Sequence, residues 1–337
     1  MTATGNLAAM VSAIDPARRA QLNTMRVAAL LADHGGVATD ERGSLGSGAA
    51  LLAADGTAWM LLSDLVDRSP DRQLGAALAW AVRRDASRVH LIAESGTGPL
   101  ARRSLGFTMP IQVSHLDGRS LIDAVAEPLP EPRVVDDRHR ALVELILAGG
   151  ATPLEEHGVL CGEVDGLEVC RVIGDPTSGD VRLEVGVGAH DRETFQMLHG
   201  DRPTVEALAD VVRAVAGHRR DGASQHPLNQ LAASRRLRTR LMAHPELVDA
   251  AVLVAVDPPL PRLNLKDQVP CAAMEPGSGT LVVCTTGIDL DVVPWAVDAI
   301  TRYGADRCLI VAPERDVIDI QQRLAALVRV PTFFVAV

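Results

Sequence analysis

The chain has 337 residues, of which 47% are hydrophobic and 2% are aromatic, and its formal net charge is −10. This length and apolar content suffice for two or three globular domains. The scarcity of aromatic side chains argues against broad stacking platforms for nucleic-acid bases. The net negative charge argues against general electrostatic binding of nucleic acid, but a local basic patch remains compatible with it.

Targeting features are missing from the sequence. It has no early basic segment followed by an apolar run and a small-residue cleavage site, and no apolar run approaches the ~18 residues of a membrane span. The sequence therefore predicts a cytoplasmic protein with no membrane partner.

Residues 1–126 predict a first α/β unit. Asp15 and Pro16 suit the start of an amphipathic helix that ends at Gly35-Gly36. After an acidic loop, two apolar runs flank Asp55-Gly56, a dipeptide that favours a type I′ turn, and this pattern predicts a hairpin over 48–64. The remaining helices are predicted over 72–85 and 100–105, and the remaining strands over 88–93 and 111–115.

Residues 127–136 are predicted to form a linker, because the alternating prolines of Glu127–Pro132 favour an extended connection. A larger second unit covers residues 137–337. It opens with the same local order as the first unit: a helix, two glycines, an acidic loop and a hairpin, here around Asp165-Gly166. Its predicted elements are helices over 138–147, 204–218 and 228–244, the hairpin over 158–174 and a strand over 181–187.

The end of the chain predicts a βαβαβ segment. Buried strands over 281–284, 308–311 and 333–337 alternate with helices over 292–303 and 317–327. Crossovers of this kind join parallel strands. Residues 279–314 also echo residues 56–94, which suggests a second copy split by an insertion. The predicted fold class is therefore α/β, with two pseudo-repeated units, mixed sheets and a parallel C-terminal segment.

Two acidic residues of the second unit carry a family resemblance. Asp175 follows the second strand of the hairpin, and Glu184 lies on the strand after it. The order of helix, hairpin, strand and helix resembles the core of the restriction-endonuclease-like superfamily. The resemblance implies that Asp175 and Glu184 hold a divalent metal, Mg²⁺, with the attacking water. Gly186 stands where the lysine of that family's motif is expected, and the first unit offers only Asp64.

Lys266 is the single lysine among the 33 basic side chains. Arginine cannot lose its proton or act as a nucleophile, so the one lysine stands out. Within the resemblance, Lys266 and Glu184 are the catalytic candidates, with Lys266 polarising the nucleophile or the phosphate. The competing interpretation places Glu168 and Glu184 on solvated faces of alternating strands.

A second candidate site lies after the predicted strand that ends at Cys284. Thr285, Thr286 and Gly287 occupy the carboxyl edge of a parallel sheet, where open α/β sheets bind ligands. Their amides and hydroxyls suit a nucleotide phosphate or another anion, and Lys266 and Arg262 are expected near this site. Alternatively, Asp289 or Asp291 serves as an ordinary N-cap of the following helix.

Several other groups leave two interpretations open. The arginines of the 228–244 helix fan around it, which favours a solvated surface over a phosphate-binding face. The Gly186–Glu193 segment, with His190, is either a cleft carrying a general base or a bulged strand that enters a loop. No CxxC pair is present, so four cysteines are predicted to be buried hydrophobes, whereas Cys271, in a predicted loop, is the reactive candidate. The cysteines predicted to be buried are Cys161, Cys170, Cys284 and Cys308. The arginines of the predicted 228–244 helix are Arg235, Arg236, Arg238 and Arg240.

Two main hypotheses for function follow. The first is nuclease-like ancestry, acting in nucleic-acid metabolism as a divalent-metal-dependent nuclease if the protein is an enzyme, or as a non-catalytic scaffold. The second is a module that binds or senses a nucleotide or another anion at Thr285–Gly287. A homo-oligomeric structural role is a third possibility that the sequence leaves open.

Overall fold

The computed structural model of the protein describes residues 16–63, 69–175, 178–199, 204–220, 222–223, 226–261 and 269–337. The chain divides into two compact units. Unit 1 comprises Met1–Pro128, Asp289–Asp298 and Ile318–Pro331, and unit 2 comprises Leu129–Ile288, Ala299–Val317 and Thr332–Val337.

Helices occur throughout the described chain. The α-helices are α1 Pro16–Asp33, α2 Leu74–Val82, α3 Thr97–Ser104, α4 Asp137–Arg140, α5 Val143–Ala148, α6 Ala189–His199, α7 Thr204–Arg219, α8 Pro227–Gln230, α9 Ala233–Ala243, α10 Val292–Tyr303 and α11 Asp319–Ala325. Short 3₁₀ helices cover Pro70–Gln73, Pro245–Val248 and Glu314–Asp316. No helix in this part of the chain has both the length and the apolar character needed to cross a membrane.

The strands form three sheets. They are β1 Ala38–Leu45, β2 Gly48–Ala53, β3 Thr57–Leu62, β4 Arg88–Ala93, β5 Ile111–Asp117, β6 Ser120–Asp123, β7 Thr152–Glu156, β8 Val159–Val164, β9 Leu167–Gly174, β10 Val181–Val185, β11 Val254–Val256, β12 Cys271–Met274, β13 Thr280–Cys284, β14 Arg307–Ala312 and β15 Thr332–Ala336.

The sheet of unit 1 is mixed and has six strands in the order β1-β2-β3-β4-β5-β6. The β3-β4 and β4-β5 pairs are parallel, whereas the outer pairs are antiparallel. Val27, Leu30 and Leu31 of α1 are almost fully buried in a core with Leu51 and Leu61. The sequence predicted an acidic loop before the hairpin. Residues 38–45 instead form β1, because pairing with β2 satisfies their backbone.

Unit 2 contains a four-stranded antiparallel sheet in the order β10-β9-β8-β7. Ile146 of α5 and Leu208 of α7 pack with the sheet residues Leu160 and Leu167 in one buried cluster. The β8-β9 hairpin turns at Asp165-Gly166, where both φ angles are positive, at 47° and 76°. These angles agree with the predicted type I′ turn, whereas at Asp55-Gly56 only Gly56 has a positive φ, of 83°, so the type I′ prediction is wrong for the first hairpin.

The second sheet of unit 2 is mixed, in the order β11-β12-β13-β14-β15. Its β13-β14 and β14-β15 pairs are parallel, which confirms the prediction for the C-terminal segment. The sequence pattern did not predict β11 and β12. It placed Cys271 in a loop, but this residue begins β12 and is only 2% exposed.

Two of the three sheets share a strand plan. In β1–β5 and in β11–β15, two antiparallel pairings are followed by two parallel ones. The register of the first parallel pair is also the same in both sheets, because a threonine pairs with an arginine at its start. These pairs are Thr57 with Arg88 and Thr280 with Arg307. The middle sheet, β7–β10, is antiparallel throughout. The sequence similarity between residues 56–94 and 279–314 thus falls in strands that occupy the same positions in the two sheets.

Three predicted elements of unit 2 differ in the structure. The predicted helix over 138–147 is divided into α4 and α5, and the predicted helix over 228–244 is divided into α8 and α9. Ala232, with φ of 51°, separates the latter pair. The interpretation of Gly186–Glu193 as a bulged strand is wrong, since the strand ends at Val185 and α6 begins at Ala189, which places His190 in the first turn of that helix.

Candidate functional site

The two acidic residues of the predicted metal site lie apart. Asp175 follows β9, and its Oδ1 accepts a hydrogen bond from the backbone N–H of Ser178 at 3.0 Å. In the β9-β10 register, Gly174 pairs with Val181 and Arg171 pairs with Glu184. A strand rises about 3.3 Å per residue, so Asp175 and Glu184 are roughly 13 Å apart. Ligands of one Mg²⁺ ion lie about 2.1 Å from the metal, which this separation does not allow.

Glu184 is already paired with cations. Its Oε1 lies 3.1 Å from Nη2 of Arg182, and its Oε2 lies 3.7 Å from Nε of Arg192. Among the described residues, no group of three His, Cys, Asp or Glu side chains is arranged to hold a metal ion. Lys266, Arg262 and Asp64 lie outside the described residues. The structure therefore does not assemble the predicted nuclease centre from the residues it describes.

Buried ion pairs surround the β8-β9 hairpin. Glu163 and Glu168 face each other across the two strands, and both are buried. Oε1 of Glu168 lies 2.8 Å from Nε of Arg171 and 3.0 Å from Nη1 of Arg192. The solvated interpretation of Glu168 was wrong, because this side chain is 0% exposed. Its charge is compensated by arginines, as buried carboxylates require.

The arginines of α9 divide between two environments. Arg235 and Arg238 are 4% and 2% exposed and reach Glu163. Arg235 also pairs with Glu156. The prediction of a solvated surface is therefore wrong for these two arginines, because acidic residues of the hairpin lie in the interior and pair with them. Arg236 and Arg240 lie on another side of the helix.

That side of α9 borders a cleft within unit 2, which we call the arginine cleft. Its volume is about 800 Å³. Ala233, Arg236 and Arg240 are spaced by three or four residues, so they share one face of α9, and His244 lines the cleft from the C-cap position of the helix. The other lining residues include Asp165, Arg219, Arg220, Asn229, Leu237, Thr286, Pro313 and Arg315.

Arg219 supports the wall of the arginine cleft. It is 2% exposed, and its guanidinium donates to the carbonyl oxygens of Leu228, Leu231 and Asp165 at 2.7, 2.9 and 2.8 Å. Burial lowers the pKa of Arg219, and the Asp165 carboxylate opposes this shift. The Asp165 carboxylate also lies 2.7 Å from Nε of Arg236, so one acid serves two arginines.

The remaining cations of the cleft are available to a ligand. Arg220 and Arg240 are exposed, and no described carboxylate forms an ion pair with either. Arg315 lies 3.8 Å from Asp316, and its side chain is 87% exposed. The described lining thus holds five arginines and one carboxylate, in a protein whose net charge is −10.

Of the predicted Thr285–Gly287 site, the structure brings one residue to this cleft. The backbone N–H of Thr285 donates to the Val311 carbonyl at 3.0 Å, and that of Gly287 donates to Oδ2 of Asp316 at 2.7 Å. These two amides are therefore engaged. The Thr286 side chain lines the cleft, with Oγ1 3.5 Å from Oγ of Ser234.

Comparison with protein-family models, with curated proteins and with solved structures yields no match. Only the residues of this chain therefore bear on its function.

Sequence reasoning missed most of the arginine cleft. It considered Arg236 and Arg240 as part of a solvated fan, and it did not single out Arg219, Arg220 or Arg315. The four-residue spacing of Arg236, Arg240 and His244 was a usable signal for one basic face. The contribution of Arg315, far along the chain from α9, had no sequence signal, since only the fold brings it to that helix.

Proposed function

We propose that this protein binds a phosphate-bearing anion in the arginine cleft of unit 2. The observation that carries the proposal is the concentration of five arginines around a cavity of about 800 Å³ with one described carboxylate. A volume in this range suits a small molecule. Guanidinium groups bind phosphate oxygens bidentately, and the Thr286 hydroxyl supplies a neutral donor beside them.

The ligand is recognised through its phosphates. No Phe, Trp or Tyr is among the described residues that line the cleft, so they offer no platform for stacking a nucleobase. Arg236 and Arg240 are four residues apart on α9, a rise of about 6 Å, and His244 directly follows the end of the helix at Ala243. A row of this length favours a ligand with several phosphates over a single phosphate ion.

Nuclease-like ancestry is the competing proposal. It is supported by the order of elements from α5 to α6, which includes the hairpin and the strand β10. Its catalytic form needs Mg²⁺ at Asp175 and Glu184, with Lys266 in reach, and the backbone separation of roughly 13 Å between these two residues argues against it. We therefore rank anion binding ahead of metal-dependent cleavage. Internal duplication of the α/β units is a further proposal, supported by the shared strand plan.

Calorimetric titration tests the anion-binding proposal. At low ionic strength, we expect affinity to rise from phosphate to pyrophosphate to tripolyphosphate, because each added charge meets a further arginine. Arg220→Ala and Arg240→Ala should each weaken tripolyphosphate binding by about 5- to 20-fold, or roughly 1–2 kcal/mol. Arg213→Ala is the matched control, since Arg213 is an exposed arginine of α7 that pairs with Asp210 and does not line the cleft.

Unchanged tripolyphosphate affinity in the double variant Arg220→Ala/Arg240→Ala would refute the proposed site. ATP binding as tightly as tripolyphosphate would agree with recognition through phosphate alone. Cleavage of DNA or RNA on addition of Mg²⁺, abolished in Glu184→Gln, would instead support the nuclease proposal.

A further inference from the structure

Cys271 and Cys284 face each other across two adjacent strands. They are register partners in the antiparallel β12-β13 pair, and their thiols are hydrogen-bonded. Directly opposed residues in such a pair have Cα atoms about 4.5 or 5.5 Å apart, and disulfides span about 4.4–6.8 Å. The backbone is therefore already at bonding distance.

The other three cysteines have no such thiol partner. Cys161 pairs in register with Arg171, and Cys170 pairs with Gly162. Because Cys161 and Gly162 are successive strand residues, Cys161 and Cys170 point to opposite faces of the sheet. Cys308 lies in β14 between Leu281 and Thr332. Only the Cys271 and Cys284 pair combines burial, direct opposition and thiol contact.

A buried arginine favours the thiolate of Cys271. Arg238 is 2% exposed, and its Nε and Nη1 have no hydrogen-bond partner among the described residues, while Nη2 lies 3.4 Å from Glu163. Burial alone raises the pKa of Cys271, but the hydrogen bond with Cys284 and the charges of Arg238 and Arg235 lower it below its usual value. Contact with Cys271 and burial raise the pKa of Cys284. Cys271 is thus the nucleophile, since thiolates are the reactive form.

We propose that Cys271 and Cys284 are a modification site that forms a reversible disulfide on reaction with a hydroperoxide. The Cys271 thiolate attacks the peroxide, forming an S–O bond and breaking the O–O bond, and the released hydroxide takes up a proton to give water. The Cys284 thiol then attacks the sulfenic sulfur, forming the S–S bond and breaking the S–O bond, and the leaving hydroxide takes the Cys284 proton to give a second water. Both sulfurs are oxidised, and the hydrogen peroxide is reduced to two water molecules.

The site adjoins the arginine cleft but does not depend on its proposed function. Cys284 directly precedes Thr285-Thr286, and the Cys271 thiol donates to the carbonyl oxygen of Ser234 at 3.2 Å. Ser234 in turn contacts Thr286 through its hydroxyl. Disulfide formation removes the thiol proton of Cys271 and with it this hydrogen bond to α9.

Peptide mapping of the full-length protein tests the proposal. The reduced, folded protein is treated with hydrogen peroxide, alkylated under denaturing conditions and digested. We expect a mass loss of about 2 Da, located in a linked pair of peptides that contain Cys271 and Cys284, and recovery of both thiols with dithiothreitol. Hydrogen peroxide is scarcely larger than water, so local opening of the strands is sufficient for its entry.

Two variants sharpen the result. Cys308→Ser, which removes another buried thiol of the same sheet, should form the disulfide as the wild type does. Cys284→Ser should form no disulfide and should leave a sulfenic acid at Cys271 that dimedone traps. The proposal would be overturned if both thiols are still free in the peroxide-treated wild-type protein before reduction, or if the disulfide links other cysteines. Either outcome holds irrespective of how the variants fold.

Discussion

Asp291 belongs to a group of buried charged residues in unit 1. Arg103 is 1% exposed, and its Nε lies 2.7 Å from Asp298, while its Nη1 lies 3.1 Å from Asp71 and 3.5 Å from Asp291. Nε of Arg102 lies 2.9 Å from Asp298. Three buried carboxyl groups therefore surround the buried guanidinium of Arg103, and one of them, Asp298, also pairs with the partly buried Arg102. Asp291 has the longest contact to Arg103, and its Oδ1 has no described hydrogen-bond partner.

Burial raises the pKa of Asp291 to about 7, despite the opposing charge of Arg103. The folded protein then binds more protons than the unfolded chain between about pH 4 and pH 7. The stability that Asp291 contributes in its protonated form is therefore present at low pH and is lost as the pH rises through 7.

Substitution of Asp291 by Asn tests this direction of the pH dependence of stability. Asn is uncharged at every pH, so Asp291→Asn should be more stable than the wild type at pH 8, by on the order of 1–3 kcal/mol, and the difference should shrink at pH 5. Urea unfolding at both pH values measures it. As a control, Asp298→Asn should destabilise at both, because Asp298 binds two guanidinium groups. Equal destabilisation by Asp291→Asn at pH 5 and pH 8 would contradict the assignment.

At the scale of elements, the β8-β9 hairpin fixes the start of α9. A Cβ atom on Gly166 would lie 2.5 Å from the carbonyl carbon of Arg235 and 2.6 Å from the backbone nitrogen of Arg236. The turn therefore meets the helix backbone directly, and Asp165 binds Arg236 from the same turn. This contact sets the position of one arginine in the cleft.

Gly166→Ala should separate the hairpin from α9. We expect a loss of about 2–4 kcal/mol in the free energy of unfolding, because backbone atoms cannot move aside as a flexible side chain can. Gly118→Ala is the matched control. Gly118 has φ of 62°, but a Cβ atom added there would meet no atom within 4 Å, so it should lose only the ~1 kcal/mol of backbone strain. Similar losses in both variants, measured by urea unfolding, would show that the close contact is unimportant.

Local patterns predicted many of these elements. The strand over 88–93 has its predicted bounds, and the predicted helix over 292–303 matches α10. Strand β12 was missed, because Cys-Ala-Ala-Met consists of small or flexible residues without the β-branched pattern of a strand. Its pairing with β11 and β13 supplies what local propensity does not.

At the scale of the whole molecule, unit 1 is assembled from distant parts of the chain. Besides Met1–Pro128, it includes Asp289–Asp298 and Ile318–Pro331. Arg102 and Arg103 come from the first segment, whereas their partner Asp298 comes from the second. A buried guanidinium without its carboxylate is strongly destabilising, by about 3–5 kcal/mol.

We therefore expect a fragment of residues 1–128 to lack a cooperative unfolding transition. Circular dichroism during heating and urea titration provides the measurement, with the full-length chain as the control. A second fragment that carries Arg102→Leu and Arg103→Leu separates the causes: partial recovery of cooperative unfolding would attribute the defect to uncompensated charge. A stable, cooperatively unfolding fragment 1–128 of wild-type sequence would refute the expectation.

Local sequence patterns were sufficient to predict the α/β class, both Asp-Gly hairpins and the parallel C-terminal segment, because turns and apolar periodicity depend on residues close together in the chain. It could not determine the buried partners of Glu168 or the grouping of Arg219, Arg240 and Arg315 in one cleft. Those features depend on which strands and helices become neighbours. No local pattern in the sequence indicates which elements tens of residues apart will pack together. Only the tertiary structure brought Thr286 to the arginines and placed Cys271 opposite Cys284.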